Sequence, residues 1–292
     1  MLTVNRPHPY DAYAVFKKET YTSNGYTMPY RLYIPKNYDC GEMYPVVIFL
    51  HGAGERGTDN EKQLKLGIQD MFNDTESPIY DSIVIAPQCP EDRQWVYTPW
   101  ANGNYSAETI GESRELEMVL EILDRITETY NVNLDREYVT GPSMGGFGTW
   151  DLLMRHGARF AAGIPVCGGG DPNYAKKLKR IPIMTFHGSD DTAVPVTGTR
   201  IMYASIIKEG GENISYTEFD GCGHNVWDKV YSDPAIIHWL FAQSREERRK
   251  AAEKRAKIKK TAVAAGSGAG VLLSLLLYIA GKRKNRKNNL PK

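Results

Sequence analysis

Runs of mainly apolar residues recur along the chain between residues 45 and 219. They do not alternate with polar residues, which is typical of strands that are buried on both faces of a parallel sheet. The runs cover residues 45–50, 82–86, 137–140, 160–166, 181–186 and 214–219. The pattern therefore predicts a mostly parallel sheet.

Helical periodicity fills several of the segments between these runs. Residues 112–130 place five apolar residues on one helical face and charged residues on the other. Shorter helices are predicted at 145–155, 196–209 and 235–241. Alternating strands and helices predict an α/β fold with helices on both faces of the sheet.

An antiparallel hairpin is predicted before the parallel sheet. Residues 13–20 and 27–34 carry β-branched and aromatic side chains. Between them lies the turn sequence Thr-Ser-Asn-Gly at 22–25.

Charge divides the chain into two parts. The 36 Lys and Arg residues nearly balance the 35 Asp and Glu residues. However, residues 245–292 carry a net charge of +12 and residues 1–244 carry −11. The composition, 41% hydrophobic and 24% charged, excludes a disordered charged chain. We expect a globular domain over 1–244 and interpret the basic C-terminal segment separately.

The basic C-terminal segment contains an uncharged stretch long enough to cross a membrane. A basic, helix-favouring linker at 245–260 is followed by 21 uncharged residues at 261–281 and a basic tail at 282–292. This length predicts a transmembrane helix. Small residues four apart on one face would let two helices pack as a homodimer; they are Ala262, Gly266, Gly270 and Ser274. The alternative is a flexible Gly/Ala linker ending in a short apolar helix.

The sequence predicts a single-pass C-terminal membrane anchor with the globular domain in the cytoplasm. The N-terminus has no apolar h-region and no cleavage site, so no secretory signal is predicted. Nine basic residues precede the uncharged stretch and six follow it, which favours a cytoplasmic N-terminal side. The apolar stretch favours anionic lipid over nucleic acid as the partner of these charges.

The cysteines show neither a disulfide nor a metal-ligand pattern. They are scattered as Cys40, Cys89, Cys167 and Cys222. In a cytosolic domain they are expected to be reduced thiols. The Cys and His spacings imply no metal and no cofactor.

The most informative segment lies at residues 138–150. It contains Gly141-Pro142-Ser143-Met144-Gly145, a G-x-S-x-G motif between a predicted strand and a predicted helix. A sharp strand-to-helix turn of this kind exposes the serine above the sheet edge. Ser143 is therefore the candidate nucleophile, and the N–H of Met144 is a candidate oxyanion donor. An ordinary glycine-rich turn is the alternative.

A serine hydroxyl needs a general base, and His224 is the candidate. It lies in a loop between the last predicted strand and the last predicted helix, where it can reach over Ser143. Structural or surface roles are expected for the other histidines, which are His8, His51, His156, His187 and His238.

The acid that orients the histidine should follow an intervening strand. Asp190 and Asp191 both follow one such strand. Asp171 follows another strand and is a weaker candidate, and Asp220 is expected to be a turn residue. The resulting order of serine, aspartate and histidine along the chain matches a known triad arrangement.

A second oxyanion donor is expected from the loop that follows residues 45–50. This loop reads His51-Gly52-Ala53-Gly54-Glu55-Arg56-Gly57. Its small residues would let the backbone approach a substrate oxygen. The N–H of Ala53 is the candidate and that of Gly54 the alternative.

Together these motifs resemble the α/β-hydrolase superfamily, and more narrowly its esterase and predicted-peptidase branch. That branch is related to prolyl-oligopeptidase catalytic domains, polyhydroxybutyrate depolymerases and feruloyl esterases. The resemblance covers about residues 13–243, and its motifs lie at 51–57, 141–150, 187–195 and 223–224.

The resemblance implies roles for individual residues. In the family pattern His-Gly-x-x-Asp-x-x-Val-Pro the acid falls on Asp191 rather than Asp190. Trp95 and Trp100 resemble residues that border the acyl or leaving-group cleft in this branch. Members of the branch are frequently exported, which is the alternative to a cytoplasmic domain.

The sequence therefore predicts a carboxylesterase-type serine hydrolase with a Ser143, Asp191 and His224 triad and an acyl-enzyme. Its substrate would be a small-molecule or oligomeric acyl ester. The connections after Ser143 are short, so no cap domain is expected, and the insertions at 51–81 and 87–112 would shape the cleft. The alternatives are a peptidase or thioesterase with the same triad, or a membrane-tethered binding protein that has lost activity.

Overall fold

A computed structural model of the protein describes residues 11–264, with side chains to residue 258. The strands of this range form one sheet, and they are β1 (Lys17–Ser23), β2 (Tyr26–Tyr33), β3 (Tyr44–Phe49), β4 (Ile83–Pro87), β5 (Val132–Pro142), β6 (Ala162–Val166), β7 (Ile183–Gly188) and β8 (Ile214–Phe219). Their spatial order is β1-β2-β4-β3-β5-β6-β7-β8. The pairs β1–β2 and β2–β4 are antiparallel, and all other neighbouring pairs are parallel.

The helices lie before, between and after the strands. They are α1 (Ala12–Val15), α2 (Ile68–Met71), α3 (Ala107–Ile110), α4 (Arg114–Thr129), α5 (Met144–His156), α6 (Ala175–Leu178), α7 (Thr197–Lys208), α8 (Trp227–Tyr231), α9 (Pro234–Phe241) and α10 (Arg245–Ala264). The six apolar runs coincide with β3 to β8, and the predicted helices with α4, α5, α7 and α9. The predicted α/β fold with a mostly parallel sheet is confirmed.

Alternate residues of the central strands contribute to two apolar cores, one on each face of the sheet. Along β3, Val46 and Ile48 belong to the core that contains residues of α4 and α5. Val47 and Phe49 belong to the core that contains residues of α8 and α9. All four side chains are fully buried, which explains why the run is apolar without alternation.

The N-terminal hairpin is present, but its first strand starts later than predicted. Residues 13–15 belong to α1, where the Asp11 side chain accepts a hydrogen bond from the N–H of Tyr13 at 2.9 Å. The prediction of a strand at 13–16 is therefore wrong. Asn24 and Gly25 have φ angles of 51° and 80°, which suit the tight turn between β1 and β2.

The carboxyl ends of the parallel strands lie at one edge of the sheet. The loop at 51–57 follows β3, Ser143 follows β5, and the loop at 189–195 follows β7. The loop that carries His224 follows β8. In open α/β sheets this edge is where ligands bind.

The chain divides into two compact units, 1–244 and 245–292. The second unit contains the described helix α10, which covers the predicted basic linker at 245–260. The predicted transmembrane segment at 261–281 and basic tail at 282–292 lie outside the described residues, apart from 261–264. Among the helices that are described, none is long and apolar enough to cross a membrane.

Candidate active site

Ser143 occupies a sharp turn between β5 and α5. Its backbone has φ 56° and ψ −119°, a conformation that is rare for residues other than glycine and costs roughly 1–3 kcal/mol. The N–H of Ser143 donates to the carbonyl of Val166 in β6 at 2.8 Å. This bond fixes the strained residue at the carboxyl edge of the sheet.

Close packing explains the two glycines of the G-x-S-x-G motif. A Cβ atom on Gly141 would lie 2.2 Å from the carbonyl oxygen of Leu50, and one on Gly145 would lie 1.8 Å from the same atom. Such short contacts cannot be accommodated without a shift of the backbone. Only glycine at both positions lets the Ser143 turn pack against the end of β3.

The structure brings Ser143, His224 and Asp191 together in one chain of hydrogen bonds. Nε2 of His224 lies 2.8 Å from Oγ of Ser143, and its Nδ1 lies 2.6 Å from Oδ2 of Asp191. Because a carboxylate can only accept, the proton of the neutral imidazole is assigned to Nδ1. Nε2 is then free to accept the proton of the Ser143 hydroxyl.

Asp191 is held ionised by its surroundings. Burial alone would raise its pKa, but hydrogen bonds from His187, His224 and the N–H of Val194 hold the pKa well below its ordinary value. Its Oδ1 accepts from the N–H groups of Ala193 and Val194, both at 2.9 Å. The carboxylate is therefore available to stabilise a positive charge on His224.

The other candidate acids lie elsewhere. Asp190 is exposed and accepts a hydrogen bond from the Ser189 hydroxyl at 2.8 Å. Asp171 accepts from the N–H groups of Asn173 and Ala107, both at 2.9 Å, and so connects two loops. Asp220 is an exposed turn residue, as predicted.

Three of the other histidines, His51, His156 and His238, have partners outside the hydrogen-bonded chain of Ser143, His224 and Asp191. His51 is buried, and burial lowers its pKa to about 4, so that its ring is neutral at physiological pH. His156 contacts Glu112 at 2.8 Å, and His238 lies 4.0 Å from Asp74. His8 lies outside the described residues. His187 contacts Asp191 and is considered below.

The loop after β3 lies beside Ser143, because a Cβ on Gly52 would be only 3.8 Å from the Cβ of Ser143. The carbonyl of Gly52 accepts from Nδ1 of His51 at 2.6 Å. The N–H of Ala53 belongs to the same planar peptide unit, so this bond also fixes the direction of that N–H. In the described part of the chain, no protein acceptor binds the N–H of Ala53 or Gly54.

Met144 is the first residue of α5, and its side chain is buried. Its N–H is one of the four at a helix N-terminus that have no partner within the helix. It therefore remains a candidate oxyanion donor next to the nucleophile. The choice between Ala53 and Gly54 as the second donor stays a prediction in favour of Ala53.

The two candidate cleft tryptophans lie in different environments. Trp95 is fully buried, its ring packs against that of His51, and its Nε1–H donates to the His51 carbonyl at 3.0 Å. The prediction that Trp95 borders the cleft is therefore wrong, because its side chain has no exposed surface and packs against His51 instead. Trp100 is partly exposed, and its place at the cleft stays a prediction.

Arg56 connects three segments around the site, although sequence reasoning did not single it out. Its Nε–H donates to the carbonyl of Ala53 at 2.9 Å, and its Nη1–H donates to the carbonyl of Arg93 at 3.2 Å. Its guanidinium carbon lies 5.8 Å from the ring centre of Trp100. The only signal in the sequence was an arginine within a loop of small residues.

Cys167, Asp191 and His224 are the only group of possible metal ligands in the described residues, with ligand atoms within 4.8 Å of one another. Both ring nitrogens of His224 are already bound to Asp191 and Ser143. Burial raises the pKa of the Cys167 thiol to about 12, and the thiol donates to the carbonyl of His224 at 3.3 Å. We assign these atoms to the hydrogen-bonded site rather than to a metal.

A family model described as a putative esterase matches residues 22–263. The crystal structure of a thermostable esterase is 35% identical in sequence with a TM-score of 0.72, over 80% of this chain and 64% of that chain.

Two curated proteins are also similar. The bifunctional acetylxylan esterase/xylanase XynS20E of Neocallimastix patriciarum is 31% identical over 97 residues, which are 33% of this chain and 14% of that protein. Carboxylesterase SOBER1 of Arabidopsis thaliana is 24% identical over 199 residues, which are 63% of this chain and 84% of that protein. The chain thus spans less than two thirds of the acetylxylan esterase/xylanase and of the thermostable esterase.

Proposed function

We propose that this chain, which belongs to the putative esterase family, is a carboxylic ester hydrolase that acts through an acyl-enzyme on Ser143. The observation that carries the proposal is the unbroken chain of hydrogen bonds from Ser143 through His224 to Asp191, at 2.8 and 2.6 Å. The esterase names of the similar proteins support the same reaction class.

In the first half of the reaction, Oγ of Ser143 attacks the ester carbonyl as Nε2 of His224 removes the hydroxyl proton. Asp191 stabilises the imidazolium that forms and keeps its orientation. The N–H groups of Ala53 and Met144 donate to the oxyanion of the tetrahedral intermediate. His224 then returns the proton to the leaving alcohol, and the acyl group stays on Ser143.

In the second half, a water molecule takes the place of the alcohol. His224 removes a proton from this water as it attacks the acyl-enzyme, and the same two N–H groups bind the second oxyanion. Return of the proton to Oγ releases the carboxylic acid. Each proton in this cycle is accepted and returned at one atom, Nε2 of His224.

The substrate class that fits the site is an acyl ester that reaches Ser143 without passing a cap domain. The connection between β6 and β7 contains only short helical segments, such as α6, and the longest insertions are the loops after β3 and β4. We expect short aryl or alkyl esters to enter without a lid movement.

The proposal is tested by treating the full chain with a fluorophosphonate probe, which reacts with activated serines, and locating the adduct by mass spectrometry. We expect an adduct on Ser143 that is lost in His224→Ala. Hydrolysis of p-nitrophenyl acetate should fall by at least about 10³-fold in Ser143→Ala. Ser215→Ala, which changes an exposed serine in β8, is the matched control and should keep full activity. Labelling elsewhere, or an active Ser143→Ala protein, would contradict the proposal.

A further inference from the structure

His187 is buried at the end of β7 and contacts hydrogen-bonding groups through both ring nitrogens. Its Nε2 lies 3.0 Å from Oδ2 of Asp191 and 3.0 Å from the carbonyl oxygen of Val194. Its Nδ1 lies 2.7 Å from Oγ1 of Thr199. Oγ1 of Thr199 lies in turn 2.7 Å from the carbonyl oxygen of Gly168, to which it donates.

These contacts determine how many protons the ring carries. Nε2 faces only acceptors, a carboxylate and a carbonyl, so it must be protonated. The hydroxyl of Thr199 has one proton, and the carbonyl of Gly168 can only accept. If that proton goes to Gly168, Nδ1 of His187 must also donate.

A neutral His187 would leave one of these contacts without a proton. Either Nδ1 and Oγ1 of Thr199, or Oγ1 and the carbonyl of Gly168, would present lone pairs to each other at 2.7 Å. An unpaired polar group is strongly unfavourable when it is buried, and this ring has no exposed surface. A second ring proton satisfies every contact.

We propose that His187 carries a proton on both ring nitrogens in the resting protein and acts through Asp191 as a positioning residue that sets the pH range of His224. This inference rests on the proposed function, because it concerns the same base. The sequence pattern did not distinguish His187 from a structural histidine. The two residues that determine its protonation, Thr199 and Gly168, lie in other segments and approach it only in the folded chain.

The charges around His187 are consistent with a cationic ring. Asp191 contacts the ring directly, and Glu218 is paired with His187 across the parallel strands β7 and β8. Glu218 also forms an ion pair with Arg200 of α7 and accepts from the Tyr216 hydroxyl. Among the residues that the structure describes, the remaining polar contacts of the ring are the neutral Thr199 hydroxyl and Val194 carbonyl.

The two imidazoles bind the same carboxylate oxygen, Oδ2 of Asp191, at 3.0 and 2.6 Å. A positive charge on His187 opposes the addition of a second proton to His224 nearby. His224 therefore stays in its unprotonated, basic form at lower pH than it would beside a neutral residue. The expected consequence is that removing the charge of His187 moves the acidic limb of the pH profile of kcat/KM to higher pH.

The pH profile of kcat/KM for p-nitrophenyl acetate tests this role. In His187→Gln, which lacks the charge, the acidic limb should move to higher pH by about one unit. Thr199→Val removes the hydroxyl that requires the second proton and should move the limb in the same direction. Thr199→Ser keeps the hydroxyl and is the matched control, with no shift expected. An unmoved limb in both His187→Gln and Thr199→Val would overturn the proposal, even if both proteins lost stability.

A direct measurement separates this inference from the proposed function. The full chain is labelled with ¹⁵N-histidine, and the His187 signals are identified by their loss in His187→Gln. Nitrogen shifts typical of an imidazolium at both positions near pH 7 would support the proposal, and those of a neutral tautomer would overturn it. The measurement does not depend on turnover, so it remains decisive for His187 if the protein hydrolyses no ester.

Discussion

Asp190 and Asp191 are neighbours in the sequence, but their carboxylates have different surroundings. Asp191 is buried, and its two oxygens contact two backbone N–H groups and two imidazoles. Asp190 is exposed and accepts from one serine hydroxyl. Only the buried carboxylate is fixed from four directions, so only Asp191 can hold His224 in one orientation.

We therefore expect Asp191→Asn to lower kcat for p-nitrophenyl acetate by about 10³–10⁴-fold, because an amide does not impose the tautomer that leaves Nε2 free. Asp190→Asn is the matched control and should keep wild-type kcat. An equal loss of kcat in the two variants would contradict the assignment of the triad acid to Asp191. It would indicate that Asp190 has this role or that both substitutions act by destabilising the protein.

Arg56 acts on the backbone of the candidate oxyanion loop rather than on a side chain. Its bond to the carbonyl of Ala53 restrains the backbone of the residue whose N–H is the favoured oxyanion donor. Oxyanion donors act on the transition state more than on the bound ester. We expect Arg56→Gln to lower kcat about tenfold with little change in KM.

The control for this variant is Arg136→Gln. Arg136 is also partly buried and donates to a backbone carbonyl, that of Phe241, but it lies in the first half of β5, away from the carboxyl edge of the sheet. It should leave kcat unchanged. A raised KM with unchanged kcat in Arg56→Gln would instead indicate that Arg56 contacts the substrate.

The residues that could be predicted from the sequence are those with a local motif or a fixed order along the chain. Ser143 has its flanking glycines, and His224 and Asp191 follow successive apolar runs. The burial of Trp95 and the contacts of His187 depend on packing between segments that are distant in the sequence. A local sequence pattern cannot predict such packing.

The central strands were predictable for a physical reason, since a strand that is buried on both faces must be apolar on both and therefore forms a continuous run. The four-residue helices, α1, α2, α3 and α6, were not predicted. A single helical turn is marginal by itself, so its formation depends on caps and tertiary contacts. The cap at Asp11 illustrates this, because it turns residues 12–15 into a helix inside a stretch that reads as a strand.

The junction between β5 and α5 depends on the absence of a side chain at Gly145. An added Cβ would lie 1.8 Å from the carbonyl oxygen of Leu50, an atom of the backbone that cannot simply rotate away. We expect Gly145→Ala to lower the free energy of unfolding by about 3 kcal/mol or more. Gly223→Ala is the control, because a Cβ there would meet nothing within 4 Å. Similar urea midpoints for both variants would contradict this packing argument.

Over the whole molecule, ionised carboxylates connect separate segments. Asp59 accepts from the N–H groups of Glu61 and Lys62 at 2.8 and 2.9 Å and from the side chain of Gln88, at the end of β4, at 3.0 Å. Burial opposes ionisation of Asp59, but these hydrogen bonds lower its pKa to about 2. Hydrogen bonds from Arg200 and Tyr216 likewise lower the pKa of Glu218 to about 2.

A carboxyl group whose pKa is lower in the folded than in the unfolded chain stabilises the fold above the unfolded value, which is about 4. That stabilisation is lost progressively as the pH falls from about 4 towards 2, where the folded group is also protonated. We therefore expect the unfolding temperature of the full chain to fall steeply over this interval. Asp59→Asn should be less stable than wild type at pH 6, and the difference should shrink towards pH 2.

The matched control for Asp59→Asn is Asp92→Asn, which changes an exposed carboxylate 3.6 Å from Arg93. A surface ion pair of this kind contributes little to the free energy of unfolding. The stability of Asp92→Asn should therefore stay within about 0.5 kcal/mol of wild type at every pH. If Asp59→Asn lost as much stability at pH 2 as at pH 6, the loss would come from the altered side chain itself. The ionised form of Asp59 would then not be what connects its loop to β4.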